Sequence, residues 1–126
     1  MKKILVVEDD LYALRFVEYL LGQEGYQVIT ATDGIVGLTL AKREKPDLII
    51  LDVMLPGLDG FEVCHRLRLE PETAETPILM LSAKAREMDK KIGLQMGAND
   101  YLTKPAEPAE ILKRVKRLLE QKAVVK

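Results

Sequence analysis

Tryptophan is missing from this sequence, and cysteine and histidine occur once each, as Cys64 and His65. A single thiol closes no internal disulfide, so the chain suits a reducing compartment, and we expect a cytoplasmic protein. One imidazole with only Cys64 beside it makes no metal site, and it leaves a hydrolase without its triad. Long apolar runs are lacking too: nothing approaches the roughly 20 residues that cross a bilayer. The opening "MKKILVVEDD" begins with two lysines, but its short apolar stretch runs straight into acids, unlike a signal peptide. Nor is there an excess of one charge. With 19 basic and 20 acidic residues the net charge is −1, so no global field draws the chain to nucleic acid or to an acidic membrane. We expect neither partner.

What is present fits an ordinary globule. At 126 residues, 48% apolar and 31% charged, the chain can bury one sizeable core, and we read residues 1–126 as a single domain. Short runs of Val, Ile and Leu recur at Ile4–Val7, Val28–Ala31, Leu48–Leu51 and Ile78–Leu81, with a weaker fifth at Tyr101–Thr103. Their continuous apolarity indicates parallel strands covered on both faces. Helical periods lie between them. Leu14, Val17 and Leu21 stripe the first helix, which ends near Gly22 and Gly25; Leu38 and Ala41 mark the second, and Phe61, Cys64 and Leu67 the third. A fourth helix runs from about Arg86 to Met96 and closes at Gly97. The last carries Ile111, Leu112, Val115, Leu118 and Leu119, with Pro108 in its first turn. This alternation predicts an α/β domain of (βα)5 order.

Sites in such sheets gather at the carboxyl ends of the strands. "PDLIILDVMLPGLDG" shows what that means here, because Asp52 follows at once on an apolar strand, where an ionised carboxylate must be paired or metal-bound. The first strand ends in Glu8, Asp9 and Asp10, the fourth meets Ser82, and the fifth meets Lys104 and Pro105. Crowded carboxylates repel unless a hard cation such as magnesium joins them, and a lysine adds a point charge for a carboxylate or a phosphoryl group. Each residue alone has a plainer reading: Asp10 as a helix N-terminal acid, Ser82 as a cap, Lys104 as a solvated surface group, Asp52 as a turn cap. Their joint placement at four of five strand ends carries the functional reading. The basic residues Lys113, Arg114, Lys116 and Arg117 read as the solvated face of the last helix.

"ILVVEDD", "PDLIILDVMLPGLDGFEV", "TPILMLSA" and "GANDYLTKP", in that order, closely resemble the receiver domain of two-component response regulators, of the chemotaxis-regulator type. The resemblance covers essentially the whole chain. It implies a doubly wound five-stranded parallel sheet of flavodoxin-like strand order 2-1-3-4-5. It makes Asp52 the phosphoacceptor, Lys104 the active-site lysine, Ser82 the switch hydroxyl and Tyr101 the switch aromatic. Asp9 becomes a direct ligand of Mg2+ (or Mn2+), Glu8 a ligand through water, and Met54 the residue whose backbone carbonyl completes the metal shell. The Lys104–Pro105 bond is implied to be cis.

The function implied is a phosphorelay switch. A sensor histidine kinase or histidine phosphotransfer protein supplies the phosphoryl group, and water later hydrolyses the phosphoaspartate. The chain thus catalyses its own phosphorylation and dephosphorylation without turning over a separate substrate. Ser82 would move toward the phosphoryl group and Tyr101 turn from exposed to buried. This biases the surface of the fourth helix, fifth strand and fifth helix toward a downstream protein or a fused output domain. Homodimerisation through that surface would use Asp100, Glu110 and Arg114, although Gln95 and Asn99 depart from the family's pattern. Ala106 also departs from it, standing where a bulky aromatic is frequent. A flavin or nucleotide binder of this topology would need a phosphate loop after the first strand, and "VVEDDLYAL" offers acids instead. A phosphorylation-independent interaction module would normally have lost Asp52 or Lys104, and both are present.

Overall fold

Alternate residues of each central strand feed opposite faces of one sheet. The computed structural model describes residues 1–124. Its elements are β1 (Lys3–Val7), α1 (Leu11–Gln23), β2 (Gln27–Ala31), α2 (Gly34–Glu44), β3 (Leu48–Leu51), α3 (Gly60–Leu69), β4 (Ile78–Ser82), α4 (Glu87–Met96), β5 (Asp100–Thr103) and α5 (Pro108–Val124). All strand pairs are parallel, in the order β2-β1-β3-β4-β5. Leu5, Val7, Ile49, Leu51, Ile78 and Met80 point into a core with α2, α3 and α4. Ile4, Val6, Leu48, Ile50, Leu79 and Leu81 point into another with α1 and α5. Period-two alternation between two covered faces explains why the strands read as unbroken apolar runs. The doubly wound expectation holds.

Helix starts are set by aspartates. Asp10, Asp33 and Asp59 cap α1, α2 and α3 by accepting from the amides of Tyr12, Val36 and Glu62. Asp10 is therefore a cap, the plainer of its two readings. Gly97 closes α4 with φ of 116°, as the sequence indicates. Strand edges differ slightly: β1, β2 and β5 begin one residue earlier than their apolar runs, and β4 extends to Ser82. The parallel ladder admits those residues because pairing depends on backbone groups and not on side-chain polarity.

One further reading changes. Lys113, Lys116 and Arg117 are exposed, but Arg114 is half-buried and binds Glu110 at 2.7 Å and Asp100 at 2.9 Å. Asn99 serves the fold: its Oδ1 accepts from the Ile78 amide and from Arg68, both at 2.8 Å. Arg68 also donates to the carbonyls of Thr73, Ala74, Thr76 and Gly97, tying together the loops at the end of the sheet away from the acidic rim. Cys64 is fully buried, and burial pushes its thiol up to about 11, so it is no nucleophile at neutral pH. His65 is exposed on α3.

Candidate functional site

The rim residues reach the site because the sheet's ladder continues past its strands. The Glu8 amide donates to Ala31 O at 3.0 Å, the Asp52 amide to Val7 O at 3.1 Å, and the Lys104 amide to Ser82 O at 2.9 Å. Since β1 and β3 are neighbours, their ends bring Glu8, Asp9 and Asp52 together, with one carboxylate oxygen from each within 4.8 Å of the others. Glu8 and Asp52 are each 6% exposed, whereas Asp9 faces solvent.

Lys104 closes the cluster from β5. Its Nζ donates to Asp52 Oδ2 at 3.2 Å and to Glu8 Oε1. Glu8 Oε2 accepts from the Asp10 amide at 3.1 Å, so both oxygens of Glu8 are engaged. Burial pushes the Glu8 carboxyl above its ordinary range, against the opposing pull of Lys104. For Lys104 burial works toward a lower value, but pairing with Glu8 and Asp52 outweighs it and holds the ammonium above its usual range. The lysine is therefore charged, and it compensates part of a rim that carries three carboxylates. Hard oxygen donors at this spacing suit a hard divalent cation that keeps several of its waters.

The other expected residues are placed as follows. The Met54 amide donates to Asp52 Oδ1 at 3.1 Å while its side chain is exposed, so this position touches the acidic site through its backbone. Ser82 is fully buried, and its Oγ accepts from the Lys84 amide at 3.3 Å. The Lys104–Pro105 peptide is cis. Tyr101, expected to start exposed, is instead only 8% exposed, and its hydroxyl donates to Lys84 O at 2.7 Å. A carbonyl acceptor within reach makes the inward ring a satisfied position. Burial, with the Asp89 carboxylate adding to it, raises the Tyr101 phenol above its ordinary range. At 106, alanine leaves an apolar groove of about 430 Å³ between Phe16, Pro105 and Ile111, beside Lys104.

Two participants went unread in the sequence. The direct Glu8–Lys104 pair was one, because nothing local links residues 96 positions apart. Gly60 was the other: its amide donates to Val53 O at 2.8 Å, and a Cβ there would stand 2.1 Å from Asp52 O. "LDG", a capping aspartate followed by glycine, was the available signal.

Residues 4–116 match the family model described as response regulator receiver domain. The chain is 52% identical over 123 residues to the alkaline phosphatase synthesis transcriptional regulatory protein PhoP of Bacillus subtilis, covering 98% of this chain and 50% of that protein. It is 48% identical over 121 residues to the DNA-binding dual master transcriptional regulator RpaA of Synechocystis, covering 96% of this chain and 50% of that protein. The chain thus spans about half the length of the curated relatives it matches. Among solved structures it resembles the receiver domain of the sensor histidine kinase PA1611 from Pseudomonas aeruginosa, which has a magnesium ion coordinated in its active site cleft. That likeness has a TM-score of 0.89 at 35% identity, over 94% of this chain and 98% of that one. The BeF3-activated receiver domain of Klebsiella pneumoniae RstA is also similar, with a TM-score of 0.87 at 37% identity over 93% and 97% of the two chains. The family match, the strand order and the acidic rim agree: this chain belongs to the response regulator receiver domains.

Proposed function

We propose that residues 1–126 form one cytoplasmic receiver unit that accepts a phosphoryl group on Asp52 from a phosphohistidine. The observation that carries this is the Asp52 carboxylate, buried at the mouth of β3 yet 3.2 Å from a charged lysine and clustered with two further carboxylates. An Asp52 oxygen forms the new bond to phosphorus, the phosphorus–nitrogen bond of the phosphohistidine breaks, and the electron pair leaves with the imidazole. Such transfer needs positioning and charge neutralisation more than covalent assistance. Lys104 is poised to pair with an equatorial phosphoryl oxygen once Asp52 has given up its own negative charge. Glu8, Asp9, Asp52 and the Met54 carbonyl would hold magnesium, which when bound neutralises charge on the reacting oxygens.

The donor is a sensor histidine kinase or a histidine phosphotransfer protein. Ser82 serves as the hydroxyl that senses the new phosphoryl oxygens, and Tyr101 as the aromatic that reports it on the α4–β5–α5 surface. That surface addresses a downstream protein or a fused output domain. Transcriptional control is the favoured output, because PhoP of Bacillus subtilis is named a transcriptional regulatory protein. Phosphorylation also promotes homodimerisation through Asp100, Glu110 and Arg114.

Asp52→Asn tests the proposal, since the amide is nearly isosteric with the carboxylate but a poor nucleophile. With acetyl phosphate and magnesium, the wild type gains one phosphoryl group by intact mass and the variant gains none. Undiminished single phosphorylation of the variant would remove Asp52 from its role.

A further inference from the structure

The inward seat of Tyr101 has a floor that the phosphoryl chemistry never touches. Tyr101 and Met80 are register partners on β5 and β4, so their side chains share the face that α4 covers. α4 crosses them at Gly93, which is buried. A Cβ at 93 would stand 2.8 Å from Met80 Sδ and 2.9 and 3.1 Å from Cδ2 and Cε2 of the Tyr101 ring. Glycine weakens a helix interior relative to alanine, so its use here calls for a reason. Close approach of the ring is that reason.

We infer that Gly93 is the positioning residue of the Tyr101 switch, its missing side chain being what allows the ring to lie beside Met80 against α4 with its hydroxyl on Lys84 O. Under the switch reading proposed above, Gly93 sets the balance between inward and outward ring without contacting Asp52, Lys104 or the phosphoryl group. The two groups that an added methyl would meet differ in freedom. Met80 is fully buried and flanked by β3 and β5, whereas Tyr101 lies on the edge strand of the sheet. The ring can leave toward solvent by turning about its first side-chain torsion, whereas the buried thioether can shift only within the packed core. A methyl at 93 therefore expels the ring.

The experiment compares wild type and Gly93→Ala with acetyl phosphate, beryllofluoride and magnesium. Intact mass should show the same extent of Asp52 phosphorylation in both. NMR cross-peaks between the Tyr101 ring and the Met80 methyl, present in wild type, should be lost in Gly93→Ala, and beryllofluoride should not restore them. Persistence of those cross-peaks in Gly93→Ala would overturn the inference. If wild type itself takes up no phosphoryl group, the reading of the switch fails instead. A second measurement covers a variant that folds poorly. Gly93→Ala should lower the midpoint of thermal unfolding when Tyr101 is present and raise it in a Tyr101→Ala background, where Met80 can move aside. Equal loss in both backgrounds would show that the ring is not what position 93 accommodates.

Discussion

Glu8 and Asp9 are neighbours in sequence but stand in different surroundings. Glu8 is buried with both oxygens engaged, by Lys104 and by the Asp10 amide, while Asp9 faces solvent beside Asp52. Solvent exposure lets Asp9 meet a hydrated cation without giving up a partner, whereas Glu8 would have to leave Lys104, which supports the proposed split of Asp9 as the direct magnesium ligand and Glu8 as one acting through water. Glu8→Ala should cost magnesium affinity about tenfold, the low end for a group that supports a ligand from outside the metal shell. Asp9→Ala should cost more. With no tryptophan in the chain, calorimetry or NMR shifts supply the titration. Equal losses would make the two acids equivalent and undo the assignment. The same reasoning separates Ser82 from Tyr101. Ser82→Ala removes only a hydroxyl whose present partner is the Lys84 amide, so phosphorylation should persist while the ring's response to beryllofluoride weakens.

At the scale of elements, the junction from β3 to α3 decides where the nucleophile sits. Asp59 caps α3, and Gly60 lets the first turn press on the backbone of Asp52 and Val53. Gly60→Ala puts a methyl against Asp52 O, with backbone and not a flexible side-chain end in the way. Overpacking of this kind costs about 1–3 kcal/mol, and displacement of Asp52 should also slow its phosphorylation. Gly22 is the control. It lies in α1 with nothing within 4 Å of an added Cβ, so Gly22→Ala should stabilise the fold by about 0.4–1 kcal/mol. Denaturant titration of the two variants checks the opposite signs. A stabilising Gly60→Ala would mean that the junction does not hold Asp52 in place.

The whole molecule has two cores that share one sheet. Neither face of a strand such as β3 can stay dry without the helices on the other side, so both cores should melt together. Far-UV circular dichroism and near-UV tyrosine signals should therefore give one coincident thermal transition. Magnesium at a hundredfold excess over its Kd should raise stability by about 2.7 kcal/mol, and chelation should abolish the gain. Two separated transitions would show that the cores are independent. The proposed dimer must be reached from a chain in which Arg114 and Arg117 already hold Asp100 at 2.9 and 2.6 Å. Exchanging such partly exposed pairs between copies adds little net energy, so apolar contact would have to drive association.

Local periodicity was enough to place five strands and five helices, because runs of Val, Ile and Leu and the spacing of Leu14, Val17 and Leu21 depend only on near neighbours. The acidic rim was legible for the same reason: Glu8, Asp9 and Asp52 follow directly on strand ends that can be counted along the chain. Strand order came from the resemblance to receiver domains, and the sheet agrees with it. Tertiary structure alone decided which charges meet and which rings are buried. Lys104 pairs with Glu8 as well as Asp52, Asp10 leaves the cluster to cap α1, and Arg114 turns inward to Asp100. Tyr101 is inside because Lys84 offers a carbonyl and Gly93 offers room, neither of which is visible from its own neighbours in sequence. Those choices are made by partners far apart along the chain, and only packing of the finished sheet brings them within hydrogen-bonding or van der Waals distance.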